Sequence, residues 1–320
     1  MIYQNGYKTA VSYECLNASL FNFMKFCGKS INCSDLYFSV DVNGISACEN
    51  MFLYQSDIHQ EGEFLKQNHI DYLYGCCWND VEKFLEENVV GSNMLAIFVM
   101  SRCLNYSGWF QHSGNSGHFV NVIGMRKGSF YISDGYVLSN EEKFFEGWIE
   151  SEQLLKAWRG KNNQYIIYRN KFENIYEKIL IEKASIRLVT ILKSYSKGGL
   201  VNEDYFGFEV IKKIFYNIAL ILEDKEKCIN IIYAVVHHLR WGGFLTIKYF
   251  LIDKLKALKI NRNYISEYEN IMETWNSICM ALIKVGIKPD KQAFQKVIGV
   301  MEALCESEKS LLCNIYSKCL

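Results

Sequence analysis

Residues 117–136, GHFVNVIGMRKGSFYISDGY, decide the fold reading. Two apolar runs, 118–125 and 129–133, flank Arg126-Lys127-Gly128. Short runs rich in Val, Ile, Phe and Tyr, broken by a glycine-bearing turn, specify a β-hairpin. With the turn centred near residue 126 or 127, Asp134 returns beside His118 or Val120. Side chains alternate along a strand with period two, so His118 and Asp134 then share one face at the open end of the hairpin. A carboxylate beside an imidazole orients the ring and stabilises the imidazolium.

Such a pair calls for a nucleophile, and residues 11–20, VSYECLNASL, offer one. Residues 15–27 place Leu16, Leu20, Phe23, Met24 and Cys27 on one helical face, and Gly28 follows as a stop. Cys15 therefore opens a helix, where unpaired amides favour a thiolate. A cysteine alone in such a place reads as a buried small hydrophobe. The hairpin pair changes that reading. Of the six histidines, His59 and His69 lie in polar sequence, His112 borders the SGNSG stretch, and His237 and His238 sit in an apolar helix. His118 alone opens a strand. The expected catalytic set is Cys15 as nucleophile, His118 as base and Asp134 as orienter.

Outward from these motifs, 94–100 (MLAIFVM) and 164–170 read as strands and 79–87 as a short capped helix. From about residue 171 the pattern is helix after helix, broken at Gly198-Gly199 and restarting at an Asn202 cap, then over 225–240, 243–257, 262–286 and 290–318. The expected fold class is α+β: residues 1–170 form a domain with a central helix packed on an antiparallel sheet, and 171–320 an all-α domain. The first carries 13 basic and 18 acidic residues and the second 22 and 17. The basic surplus of the helical half suits an acidic partner or docking of the two halves on each other.

Composition narrows the rest. Lys+Arg and Asp+Glu balance at 35 each, which argues against nucleic-acid binding. No apolar run has the length of a membrane span, and the amino terminus lacks signal-peptide character. Twelve cysteines without an export signal fit reduced thiols in the cytoplasm. No CxxC pair exists, and adjacent Cys76-Cys77 has the wrong spacing for zinc, so no metal or cofactor of its own is expected.

YECLNASLFNFMKFCGKSINCSDLYF and the 117–136 hairpin resemble the butirosin biosynthesis protein H-like family, a papain-like branch. FGFEVIKKIFYNIA and LRWGGFLTIKYFLIDKL look like the helical domain that often follows it. The resemblance implies a papain-like fold joining Cys15, His118 and Asp134. It also implies acyl transfer from the phosphopantetheine thioester of an acyl or peptidyl carrier protein to a small amine, in natural-product assembly. The cysteine-protease homologue of closthioamide assembly, which builds amides on a diamine, is a similar case. A cysteine peptidase or thioesterase with the same residues, or a non-catalytic papain-like scaffold, are the alternatives. Thr9 stands where papain-like enzymes usually carry an oxyanion-stabilising glutamine. This leaves the second oxyanion donor open among residues such as Gln4, Thr9 and Asn17. The oligomeric state is also open, a homodimer included.

Overall fold

The computed structural model describes residues 7–40, 45–47, 54–56, 71–89, 94–111, 116–137, 143–169, 174–196, 205–241 and 243–319. The Gly198-Gly199 break, the Asn202 cap, Gln4, His59, His69 and His112 lie outside them. Contacts divide the chain into two compact units, Met1–Tyr37 with Glu61–Ile181, and Phe38–Gln60 with Glu182–Leu320. The first is α+β and the second mostly helical.

In the first unit, helix α1 (Cys15–Phe26) is followed by a short α2 (Cys33–Phe38), which ends at the unit boundary. Strands β3 (Tyr72–Cys76), β4 (Met94–Met100), β5 (Gly117–Arg126), β6 (Ser129–Asp134), β7 (Phe145–Glu150) and β8 (Gln164–Tyr168) form one sheet. Its order is β3-β8-β4-β5-β6-β7, antiparallel throughout. Helices α3 (Val81–Asn88), α4 (Gly108–Gln111) and α5 (Ser151–Arg159) complete the unit. A small pair, β1 (Ile45–Ala47) with β2 (Tyr54–Ser56), belongs to the second unit.

The hairpin differs from a plain two-stranded ladder. Arg126 pairs with Ser129, so the turn is Lys127-Gly128, but the register shifts between Val122 and Gly124 and then pairs Val122 with Ile132 and Asn121 with Ser133. Ile123 is thus the extra residue of a β-bulge. Continuing the shifted register sets Asp134 opposite Val120, on the face of His118. Without the bulge Asp134 would fall opposite Asn121 and point to the other side.

Helix α1 is buried all round rather than along one stripe, its Asn17, Ser19 and Asn22 included. Buried polar groups need partners, and each has them. Ser19 Oγ donates to Asn121 Oδ1 at 2.6 Å, and Asn121 Nδ2 returns a bond to the Ser19 carbonyl at 2.9 Å. Asn22 Oδ1 accepts from the Tyr7 hydroxyl at 2.8 Å and the Ala10 amide at 2.7 Å. Phe23 stacks on Tyr168 with ring centres 4.9 Å apart. The opposite sheet face, with Val120, Val122 and Ile132, packs on Leu154 and Trp158 of α5. Gly135 marks a close approach: a Cβ there would lie 2.2 Å from the Ala10 carbonyl oxygen. The segment before α1 is tied at that point by the Ser12 amide, which donates to the Gly135 carbonyl at 2.9 Å.

Two elements of this unit, β3 and β7, lack an apolar pattern strong enough to read from sequence, whereas α5 sets Leu154, Leu155 and Trp158 on one buried face. Helix α3 begins at Val81, one residue after its cap, and the cap is Asp80 rather than Asn79. Asp80 accepts from the Lys83 amide at 3.1 Å.

The second unit takes the later turns of α6 (Asn174–Ser196), then α7 (Phe208–Leu220), α8 (Lys225–Trp241), α9 (Phe244–Ala257), α10 (Arg262–Ile287) and α11 (Lys291–Cys319). Its core holds an ion pair. Lys248 Nζ lies 2.6 Å from Glu308 Oε1, with both side chains fully buried. Glu308 also accepts from the Tyr268 hydroxyl and, at 2.9 Å, from Trp275 Nε1. The rings of Phe244 and Phe208 face the ammonium at 4.4 and 4.6 Å. Among the described residues, no helix is long and apolar enough to cross a membrane.

Removing one partner of a satisfied buried pair leaves an uncompensated charge. Lys248→Met is expected to cost about 3–5 kcal/mol in urea unfolding. Lys248→Met combined with Glu308→Gln removes both charges, keeps the amide oxygen as acceptor for Trp275 Nε1, sets the amide NH2 against the Tyr268 hydroxyl oxygen, and is expected to recover much of that loss.

Candidate active site

The site is built from the carboxylate outward. Asp134 ends β6 and is buried, as is His118 near the start of β5. An anion in such a place needs donors, and Asp134 has three. His118 Nε2 and the Tyr106 hydroxyl each donate to Oδ2 at 2.7 Å. The Tyr136 amide donates to Oδ1 at 3.0 Å. An ionised carboxylate only accepts, so the His118 proton sits on Nε2 and Nδ1 keeps its lone pair. That nitrogen has no hydrogen-bond partner among the described residues. The imidazole packs on Phe110, ring centres 4.8 Å apart, and Tyr106 stacks on Phe145 at 4.0 Å. This apolar wall limits water around the pair.

The hairpin thus joins two of the three expected residues. Cys15 stands near them without a hydrogen bond to His118. Its sulfur lies by the backbone amide of Phe119, the residue after His118. The thiol itself donates to Glu14 Oε1 at 3.3 Å. Glu14 also caps α1, its Oε1 accepting from Leu16 N–H at 2.9 Å and its Oε2 from Asn17 N–H at 2.7 Å.

That cap corrects one expectation. The helix terminus was expected to favour a thiolate. Instead, burial first, and then the Glu14 carboxylate, hold the Cys15 thiol well above its ordinary range. The Phe119 amide opposes them more weakly, and Asp134 adds a smaller push in the same direction as Glu14.

Two residues here carry no signal in the sequence. Tyr106 is one of 21 tyrosines, and only the fold brings it to Asp134. Glu14 adjoins the nucleophile in sequence, but its pairing with the thiol depends on the cap geometry. Two candidates for the oxyanion are otherwise engaged. Thr9 Oγ1 is bonded to Ser133 Oγ at 2.8 Å, and its amide donates to Glu146. Asn17 accepts from Ser12 Oγ at 2.7 Å and donates to the Cys33 carbonyl. The described cysteines carry free thiols. Among the described residues no group of three His, Cys, Asp or Glu side chains could hold a metal ion.

No family model matches the chain, and no curated protein matches it either. Among solved structures, the chain is similar to one from Bacillus anthracis described as a C39-like peptidase. The two are 14% identical with a TM-score of 0.36, over 54% of this chain and 98% of that one. A likeness at this level decides neither fold nor function, and the site rests on its own geometry.

Tyr106→Phe removes a hydrogen bond to a buried charge. It is expected to lower stability by about 1.5–3 kcal/mol in denaturant unfolding.

The raised acids set the alkaline limit. Cys15 and Tyr106 are both held above their usual values of 9.0 and 10.0, chiefly by burial. The unfolded chain therefore releases these protons first. Their contribution to stability is complete below about pH 9 and is lost as pH rises toward the folded-state values. Guanidinium midpoints between about pH 8 and 11 should fall, each group adding a slope of up to about 1.4 kcal/mol per pH unit. Cys15→Ala should remove the thiol's share.

Proposed function

We propose that the chain is an amide-forming acyltransferase of the butirosin biosynthesis protein H-like kind. In this reading it moves an acyl group from a carrier-protein thioester through Cys15 to a small amine. The observation that carries the reading is the buried His118–Asp134 pair, whose free Nδ1 lies on the strand that passes the Cys15 sulfur.

The chemistry follows from the residues. The Cys15 proton passes to His118 Nδ1, and Asp134 stabilises the imidazolium. The sulfur attacks the thioester carbonyl. Glu14 takes the amides of Leu16 and Asn17, which leaves the Cys15 amide to bind the oxyanion. Collapse expels the phosphopantetheine thiol with the proton from His118 and leaves an acyl-Cys15 thioester. The amine then attacks, His118 takes its proton, and Cys15 departs as the thiol. Thioester exchange is close to neutral in energy, whereas the amide lies lower. The second step therefore drives the sequence, provided water is kept out. The carrier-borne phosphopantetheine is substrate, and the reaction asks for no further cofactor. The reduced thiols fit work in the cytoplasm.

A non-catalytic scaffold is the second reading, and one observation favours it: the thiol is bonded to Glu14 rather than to the imidazole.

Intact-protein mass spectrometry after mixing with short acyl thioesters separates these readings. A mass gain that is lost in Cys15→Ala, slowed about 10²–10⁴-fold in His118→Ala and discharged by amines is the expected result. Discharge by water alone would make the protein a thioesterase or peptidase. Acyl transfer that survives Cys15→Ala would overturn the proposal.

A further inference from the structure

Glu14 is an unusual choice for its position. A helix cap needs only an acceptor, and Ser, Thr, Asp and Asn serve best. Here a full negative charge sits 3.3 Å from the sulfur of the proposed nucleophile. We propose that Glu14 is a positioning residue that parks the Cys15 thiol as a neutral S–H donor away from His118, so that the nucleophile forms only when the side chain turns to the imidazole. This rests on the acyltransferase reading and concerns the resting state of the same site.

Three features support the lock. The Glu14 backbone is extended, at φ −155° and ψ 144°, and its carboxylate is fixed by the amides of Leu16 and Asn17. It therefore cannot swing away without uncapping the helix. The carboxylate outweighs the partial positive charge of the helix end, which amounts to about half an elementary charge. The remaining groups do not cancel it. From β6, Asp134 has the same sign as Glu14. From β5, the Phe119 amide is a weak opposing dipole, and His118 is the one titratable group there that can accept the proton.

The activating step is a proton transfer with no other bond change. As Cys15 turns, its S–H proton moves to His118 Nδ1, leaving a thiolate beside an imidazolium held by Asp134. Glu14 keeps both cap bonds throughout. Such a thiol is shielded from stray alkylation and oxidation while the site is empty. Once ionised it is a stronger nucleophile than a low-pKa thiolate.

The test is the rate at which iodoacetamide modifies Cys15 in the full chain, read by peptide mapping between about pH 6 and 10. In the wild type the inflection should lie above the ordinary thiol value of 9.0. Glu14→Gln and Glu14→Asn keep an acceptor at the cap and remove the charge. Both should move the inflection down by at least about one pH unit and raise the rate at pH 7 about tenfold. Glu14→Asp keeps the charge and should stay near wild type. A purely capping role would change the melting temperature and leave the inflection in place. Coincident profiles for wild type, Glu14→Gln and Glu14→Asn would overturn the proposal, as would a wild-type inflection below the ordinary thiol value. Acyl uptake from thioesters is read separately, so its absence bears on the acyltransferase reading and not on the lock.

Discussion

One extra residue, Ile123, sets the phase of the first unit. The bulge lets a single strand serve two faces. Asn121 points to α1 and bonds Ser19, while His118, three residues earlier, points the other way and meets Asp134. A regular ladder through the same Lys127-Gly128 turn would bring Asp134 to the helix face. The site therefore depends on a local irregularity that leaves one residue out of the ladder.

Charge is the second constraint. A buried carboxylate survives only if its lone pairs are filled, and Asp134 has an imidazole, a phenol and an amide. That satisfaction fixes the tautomer of His118 and leaves the lone pair on Nδ1. Glu14 works in the opposite sense. Its carboxylate is satisfied by the helix it caps, so its charge persists next to the thiol and disfavours a second anion there. The same kind of group thus orients the histidine and makes the cysteine a weaker acid.

The core of the helical unit uses the same logic. Lys248 and Glu308 are paired, and the remaining capacity of the carboxylate goes to Tyr268 and Trp275. The rings of Phe206, Phe208, Phe244 and Trp275 take the place of water around the ammonium. The pair ties α9 to α11 and its donors tie in α10. Alternative helix registers would strand a charge in the core.

The elements with a strong apolar signal are legible in the chain. These are the Cys15 helix, strand 94–100, both arms of the hairpin and the long helices after residue 205. Each is marked in the chain by an apolar helical stripe or by a short continuous apolar run. The sequence also singles out His118 and Asp134, because a short hairpin keeps its partners close in sequence. The rest follows from packing between distant segments. β3 and β7 form because a sheet edge is there to receive them. The grouping of 38–60 with the helices, the bulge at Ile123 and the arrival of Tyr106 at Asp134 depend on contacts between distant residues. The sequence points to a thiolate at the helix end, but burial first and then the Glu14 carboxylate hold the Cys15 proton in place. Whether Glu14 fills the amides of that end is a matter of side-chain geometry, and geometry at the angstrom scale leaves no period in the chain.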